Sequence, residues 1–434
     1  MLQNRHKLTS SPTKKHTLTV LLGCASLLSA GETPLPPAAP VAPAAEPTSW
    51  CDALQNIGTL FSDKENPYVQ EFKVFGRAHY QWAYVDGEAA RTGSPGQQDF
   101  NYNHDEIRRV YLGASGKFFQ NLIISGQANI FEDNTPGGGD DRGFEFQHMW
   151  DLYAKYDLKN AFDLDGFDAL AVGYGAREVN MSNEWNTSSK NIKTVERSAI
   201  SNKIWAYDGE FSNPTGAWVE GAQNKINWTF GIFSTTQDDW LAQWDDGQLY
   251  YGKFGYDFTE TTGADISRFL WTAFYQDVNA GDEVLAGGIE WATSVSMNYG
   301  RGPWEMMFEG IYGDNGEQLA GRDGNFYGFV FLPSYWLVAD RLEAVARYQY
   351  EGSQEDQGVQ IYSRYGRRAD SKDSLGFATG GHGDSHHSFY GGLNYYLCDN
   401  NAKMMAGVQY DDMNSDGDDI YNAWTTFVAF RAFF

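Results

Sequence analysis

The sequence predicts an all-β protein: a transmembrane antiparallel β-barrel of about 16 strands over residues 71–434. Three observations lead there. Short segments of strict apolar/polar alternation recur from residue 72 to the end, each about ten residues long, the length a tilted strand needs to cross a bilayer. Aromatic residues (28 Phe, 26 Tyr, 14 Trp) gather at the ends of the apolar faces, where a membrane interface favours them. The last segment alternates Trp424, Val428, Phe430, Ala432 and Phe434 on one face and ends on the aromatic Phe434. Past the N-terminus no apolar run reaches the ~18 residues of a spanning helix, and the mean hydropathy of -0.51 agrees. So many large rings also argue against disorder. With 57 acidic against 32 basic residues, the charge of -25 excludes a nucleic-acid binder, whose phosphates it would repel.

The N-terminus sets the compartment. Arg5, Lys7, Lys14 and Lys15 precede an apolar stretch through Leu18, Val20, Leu21 and Leu22 and small residues at Ala25, Ser29 and Ala30. That is the build of an export signal, assigned to residues 1–30. Leu21-Leu22-Gly23-Cys24 also fits a lipoprotein signal with Cys24 acylated. Without the signal, 28 basic residues face 57 acidic ones, a charge of -29. Residues 31–70 form a periplasmic N-terminal segment that begins as a Pro/Ala spacer at 33–47. Cys51 and Cys398 either pair with each other or stay free.

The candidate strands follow in order. In 72–84 the even positions Phe72, Val74, Ala78, Tyr80, Trp82 and Tyr84 oppose Lys73, Arg77, His79 and Gln81. Segments 106–117, 121–131 and 146–157 come next, then 168–178 with its glycines, 215–223, 225–234, 246–258, 267–277, 285–299 and 303–313. Segment 324–332 is apolar on both faces and Pro333 is expected to end it. In 341–350, Leu342, Ala344, Ala346, Tyr348 and Tyr350 oppose Arg341, Glu343, Arg347 and Gln349; 386–397, 402–411 and 422–434 complete the set. Connections alternate between short (300–302, 399–401) and long (85–105, 179–212, 351–385), as two differently exposed membrane sides require.

If the apolar faces meet lipid, the polar faces line a lumen, because charge on the lipid side costs ~2–4 kcal/mol near the midplane. The expected inward bases are Lys73, Arg77, Arg109, Lys117, Lys155, Arg177, Lys253, Arg341, Arg347 and Arg431. The expected inward acids are Asp151, Glu290, Glu305, Glu309 and Glu343. Acids and bases fall on opposite walls, a transverse field that favours small polar solutes. The connection after 168–178 reverses the sign of the chain: Lys190, Lys193, Arg197 and Lys203 against Glu184 and Glu196. Folded inward, its Ser188, Ser189, Lys190 and Arg197 would offer donors to an anion; a solvated surface loop is the alternative. Arg364, Arg367, Arg368 and Lys372 make a second basic patch, an entry funnel or a contact for lipopolysaccharide.

Here the sequence resembles a known family. Ser188-Ser189-Lys190 through Val195-Glu196-Arg197-Ser198, after Val172-Gly173-Tyr174-Gly175, is similar to the central region of the phosphate-selective porin O and P family. Leu342 to Tyr348 and Gly392 to Leu397 resemble its late strands. The resemblance spans about 70–434. It implies a 16-stranded outer-membrane barrel, trimeric, passing anions such as phosphate or other small solutes without cofactor or catalysis, with Lys190, Lys193 and Arg197 as loop bases. It also implies that Phe434 addresses the barrel-insertion machinery. The chain departs from the family's phosphate-specific pattern in its acidity, with acidic loops at 138–141 and 411–419.

Enzyme and metal signals are scarce. The sequence has no G-x-S-x-G elbow, H-E-x-x-H pair or phosphate loop. His382, His386 and His387 read as solvated loop histidines rather than metal ligands. Asp412, Asn414, Asp416 and Gly417 begin like a calcium loop, but Ala423 stands where a Glu is needed. The competing class is a secreted glycan-binding all-β protein without a channel.

Overall fold

In the computed structural model, residues 50–133, 142–205, 213–235, 242, 244, 247–277, 289–316, 321–361, 363–373 and 375–434 are described. The export signal at 1–30 with Cys24, the 33–47 spacer and the 138–141 loop lie outside them.

The chain opens with α1 (Trp50–Asn56) and the short β1 (Thr59–Ser62), which pairs with the start of β2. The barrel strands are β2 (Val69–Ala90), β3 (Gln97–Phe118), β4 (Leu122–Asp133), β5 (Arg142–Asp157), β6 (Ala169–Ala176), β7 (Thr215–Gln223), β8 (Ile226–Ser234) and β9 (Gln248–Asp257). They continue as β10 (Ile266–Gln276), β11 (Trp291–Arg301), β12 (Trp304–Asp314), β13 (Asn325–Val338) and β14 (Leu342–Ser353). A two-residue ladder of β15 (Val359–Gln360) and β16 (His382–Gly383) stands apart; β17 (Ser385–Cys398), β18 (Ala402–Ser415) and β19 (Asp418–Phe433) finish the wall. Each barrel strand pairs antiparallel with its neighbours, and β19 pairs with β2, which closes a barrel of 16 strands. Short helices α2 (Leu158–Ala161), α3 (Asn183–Asn186), α4 (Ala199–Lys203), α5 (Thr259–Thr262) and α6 (Arg364–Asp373) sit in connections.

Every candidate strand has its counterpart, and parity runs as the alternation requires. Tyr80, Tyr84, Phe308 and Phe430 point out and are exposed, whereas His79, Gln81, Glu309, Glu343, Arg347, Lys403 and Arg431 point in and are buried. A soluble sandwich puts its apolar faces inward; the inversion here is that of a barrel in lipid.

Four expectations need correction. The long 85–105 connection shrinks to Arg91–Gly96, because β2 and β3 continue as a polar ribbon beyond the lipid-facing belt. The 411–419 stretch is no loop: β18 runs to Ser415 and β19 resumes at Asp418 across Asp416 (φ 52°) and Gly417 (φ 79°), a two-residue hairpin turn with both φ positive. Pro333 does not end β13, which runs on to Val338; the ladder to β14 skips Leu332 and Pro333, the latter having no N–H to give. Glu290 lies just before β11 instead of within a strand.

Cys51 and Cys398 form a disulfide with Cα atoms 5.3 Å apart, which decides the alternative left open by the sequence. It ties α1 to the end of β17.

Candidate functional site

Residues 179–205 occupy the barrel interior. Ser182 caps α3 by accepting from the Trp185 N–H at 3.2 Å, and Ser198 caps α4 by accepting from the Ser201 N–H at 3.3 Å. Between the caps the chain folds on an aromatic stack: Trp185 and Trp205 lie 4.0 Å apart, and the Arg197 guanidinium covers Trp185 at 3.9 Å. Arg197 donates to the Glu184 and Thr187 carbonyls at 2.8 and 2.9 Å, and burial lowers its pKa.

Inward side chains from all around the wall hold this segment. On the acidic wall, Lys193 Nζ sits 2.6 Å from Glu305, 2.6 Å from Glu343 and 2.8 Å from Ser334. Glu309 accepts from the Asn183 N–H at 2.6 Å. On the basic wall, Arg77 donates to Ser189 Oγ at 2.9 Å, Arg431 to the Ser189 carbonyl at 3.0 Å, and Arg108 to Glu196 at 3.1 Å. Arg347 donates to the Glu196 carbonyl at 2.8 Å and lies 3.4 Å from Glu184, while Lys403 reaches the Ile192 carbonyl at 2.9 Å. The segment therefore presents Lys193 to the acids and Glu196 to the bases. A net-positive loop is seated by local complementarity on both sides.

The expected site residues come together unevenly. Ser189 and Lys190 meet the basic wall, with Lys190 half-buried over Phe433 at 4.7 Å. Burial and then Arg77 lower its pKa. Ser188 turns the chain and accepts from the Asn191 N–H at 2.8 Å through its carbonyl. Lys203 donates to Asn315 at 2.6 Å and lies over the Phe326 ring at 4.4 Å. Arg177 and Lys155 both pair with Glu220, at 3.2 and 2.6 Å, on the wall. Arg109 is buried in β3, and Lys73 pairs with Glu71 where β2 begins.

Other residues escaped the sequence. A bulge between His79 and Tyr80 leaves Arg108 without a partner position in β2, so Arg108 joins Arg109 in facing inward. The second basic patch is no open funnel: Arg364 and Arg368 turn onto buried Glu106, which also accepts from Tyr365 at 2.8 Å, so α6 packs inside the wall. The histidines are not a solvated set either. His386 is fully buried in β17 between Glu351 (2.7 Å) and Asp411 (3.1 Å), and His387 packs on Tyr348. No group of three or more His, Cys, Asp or Glu suited to a metal occurs among the described residues.

Residues 72–263 match the family model of phosphate-selective porin O and P. The 16-strand antiparallel barrel has the fold of bacterial outer-membrane porins. This fold is shared with an anion-selective porin from Comamonas acidovorans, at 12% identity and a TM-score of 0.51, covering 84% of this chain and 99% of that one. It is shared as well with a loop-deletion mutant of OmpT, an outer membrane protein of Vibrio cholerae, at 11% identity and a TM-score of 0.50, covering 84% and 99%. No curated protein matches the sequence.

Proposed function

We propose that this porin passes small polar solutes, anions among them, across the outer membrane through a lumen narrowed by residues 179–205. The observation that carries the anion reading is an excess of base on one wall. Arg108, Arg109, Arg364 and Arg431 all act on the single carboxylate of Glu196, and Arg77 acts on Lys190. Preorganised cations of this kind favour a passing anion without a dedicated pocket. Phosphate has less support than anions in general, because Lys193 is held by two carboxylates and Arg197 by carbonyl oxygens. A homotrimer rests on the family resemblance alone and is tested by cross-linking in the membrane.

Reversal potentials in asymmetric potassium chloride, then in potassium phosphate, test the reading. Arg77→Glu combined with Lys190→Glu should move the permeability ratio toward cations. An unchanged ratio rejects the basic wall as the selective element.

A further inference from the structure

Beside the in-lumen segment, on the acidic wall, lies a cavity of about 540 Å³, a volume within the range of small-molecule sites. One side is apolar and aromatic, made by Met307, Leu332, Trp336 and Tyr396, with the last two rings 5.1 Å apart. The other side carries Glu305 and Glu343, with Lys193 between them at 2.6 Å from each. The remaining charged lining adds three acids, Glu184, Asp340 and Asp399, and one base, Arg268.

The two carboxylates differ in a way that matters. Glu343 is fully buried and also accepts from Tyr396 at 2.6 Å and Asn394 at 3.2 Å, so it is locked in the wall. The side chains of Glu305 and Lys193 are 31% and 20% exposed, so their pairing faces the cavity. An ion pair with that exposure is within reach of a solute in the cavity. The porin's own primary ammonium thus occupies a carboxylate that a second ammonium can reach, in a cavity also lined by the Trp336 ring, of a kind whose face attracts cations.

We propose that this cavity is a subsite for a small organic amine with an apolar or aromatic body. The amine's ammonium replaces that of Lys193 on Glu305, and its body lies against Trp336 and Tyr396. One ammonium exchanges for another, so Glu305 is never left as an uncompensated charge. Access of such a solute rests on the channel reading above; the binding itself does not.

Calorimetric titration of the full-length porin in detergent tests this with tryptamine as the probe and indole-3-propionate, which carries a carboxylate in place of the ammonium, as its counterpart. Tryptamine should bind and indole-3-propionate should not. Glu305→Gln should weaken tryptamine about tenfold, the scale of one lost charge-assisted hydrogen bond, and Lys193→Gln should tighten it by removing the internal competitor. Equal binding of the two probes to the native porin overturns the proposal, as does tryptamine affinity unchanged in both variants. Conductance of the same preparation in potassium chloride separates the two readings. Silent bilayers with intact tryptamine binding would sink the channel and keep the subsite, and conduction without binding would do the reverse.

Discussion

Glu196 of the in-lumen segment accepts a hydrogen bond from Arg108 Nε at 3.1 Å, and Arg108 faces the lumen because a bulge in β3 turns two successive arginines inward. The pair fastens the segment to the basic wall as Lys193 fastens it to the acidic one. Burial by itself would raise the Glu196 pKa, but Arg108, Arg109 and Arg364 outweigh it and hold the carboxyl at about 2.

That value sets a pH dependence. A carboxylate whose folded pKa lies below its ordinary 4.5 contributes stability that is fully present above pH 4.5 and is lost as pH falls from there through about 2. Single-channel current should stay quiet from neutral pH to about 5 and become noisy below 4.5 as the segment loosens. Glu196→Gln should already be noisy at pH 7, since it leaves the arginines uncompensated. A quiet Glu196→Gln channel at neutral pH would show that the fastening lies elsewhere.

A second fastening holds α6. Glu106 is buried and collects Arg364, Arg368 at 3.1 Å, Tyr365 at 2.8 Å and Gln81 at 3.2 Å. Replacing it with Gln removes the charge that two guanidiniums share, a loss of about 3 kcal/mol or more for a buried pair. Glu106→Gln should free α6 from the wall and raise open-channel conductance, read in planar bilayers. Conductance at the native level would mean that α6 does not limit the path.

The sequence made most of the wall legible and less of what fills it. Period-2 alternation is imposed by lipid on one side and water on the other, so it located 215–223 to the residue and every other barrel strand approximately. Beyond the lipid belt that constraint lapses, which is why the polar ends of β2 and β3 and the acidic hairpin at Asp416-Gly417 all read as loops. Inside the lumen, contacts depend on register. The bulge that re-aims Arg108 and the burial of His386 between Glu351 and Asp411 join residues from different strands, and no local pattern encodes them.

The barrel seam supplies a third prediction. Gly76 in β2 exchanges backbone hydrogen bonds with the terminal Phe434, at 3.2 and 3.1 Å, and a Cβ at residue 76 would stand 2.8 Å from the Phe434 ring. Gly76→Val should displace the ring and lower the fraction of chain that resists SDS until boiled. Alanine, with one methyl and no branch, should do less harm than valine. Equal yields of heat-modifiable barrel from all three would show that the ring moves aside without consequence.

The disulfide reaches across the same seam. Cys51 lies in α1, ahead of β2, and Cys398 ends β17, so the bond joins α1 to the third barrel strand from the last, past β18 and β19, closing a span of 347 residues. A cross-link of that span restricts the unfolded chain, which typically stabilises the native state by about 2–4 kcal/mol. It also anchors α1 where Cys398 is buried, a place the β19–β2 ladder alone does not secure. Reduction, or Cys51→Ser with Cys398→Ser, should therefore lower the temperature at which the SDS-resistant form converts to the unfolded band. Conductance should stay unchanged, because the bond joins α1 to the end of β17 and not residues 179–205. A conversion temperature equal with and without reductant would show that the ladder alone keeps the barrel closed.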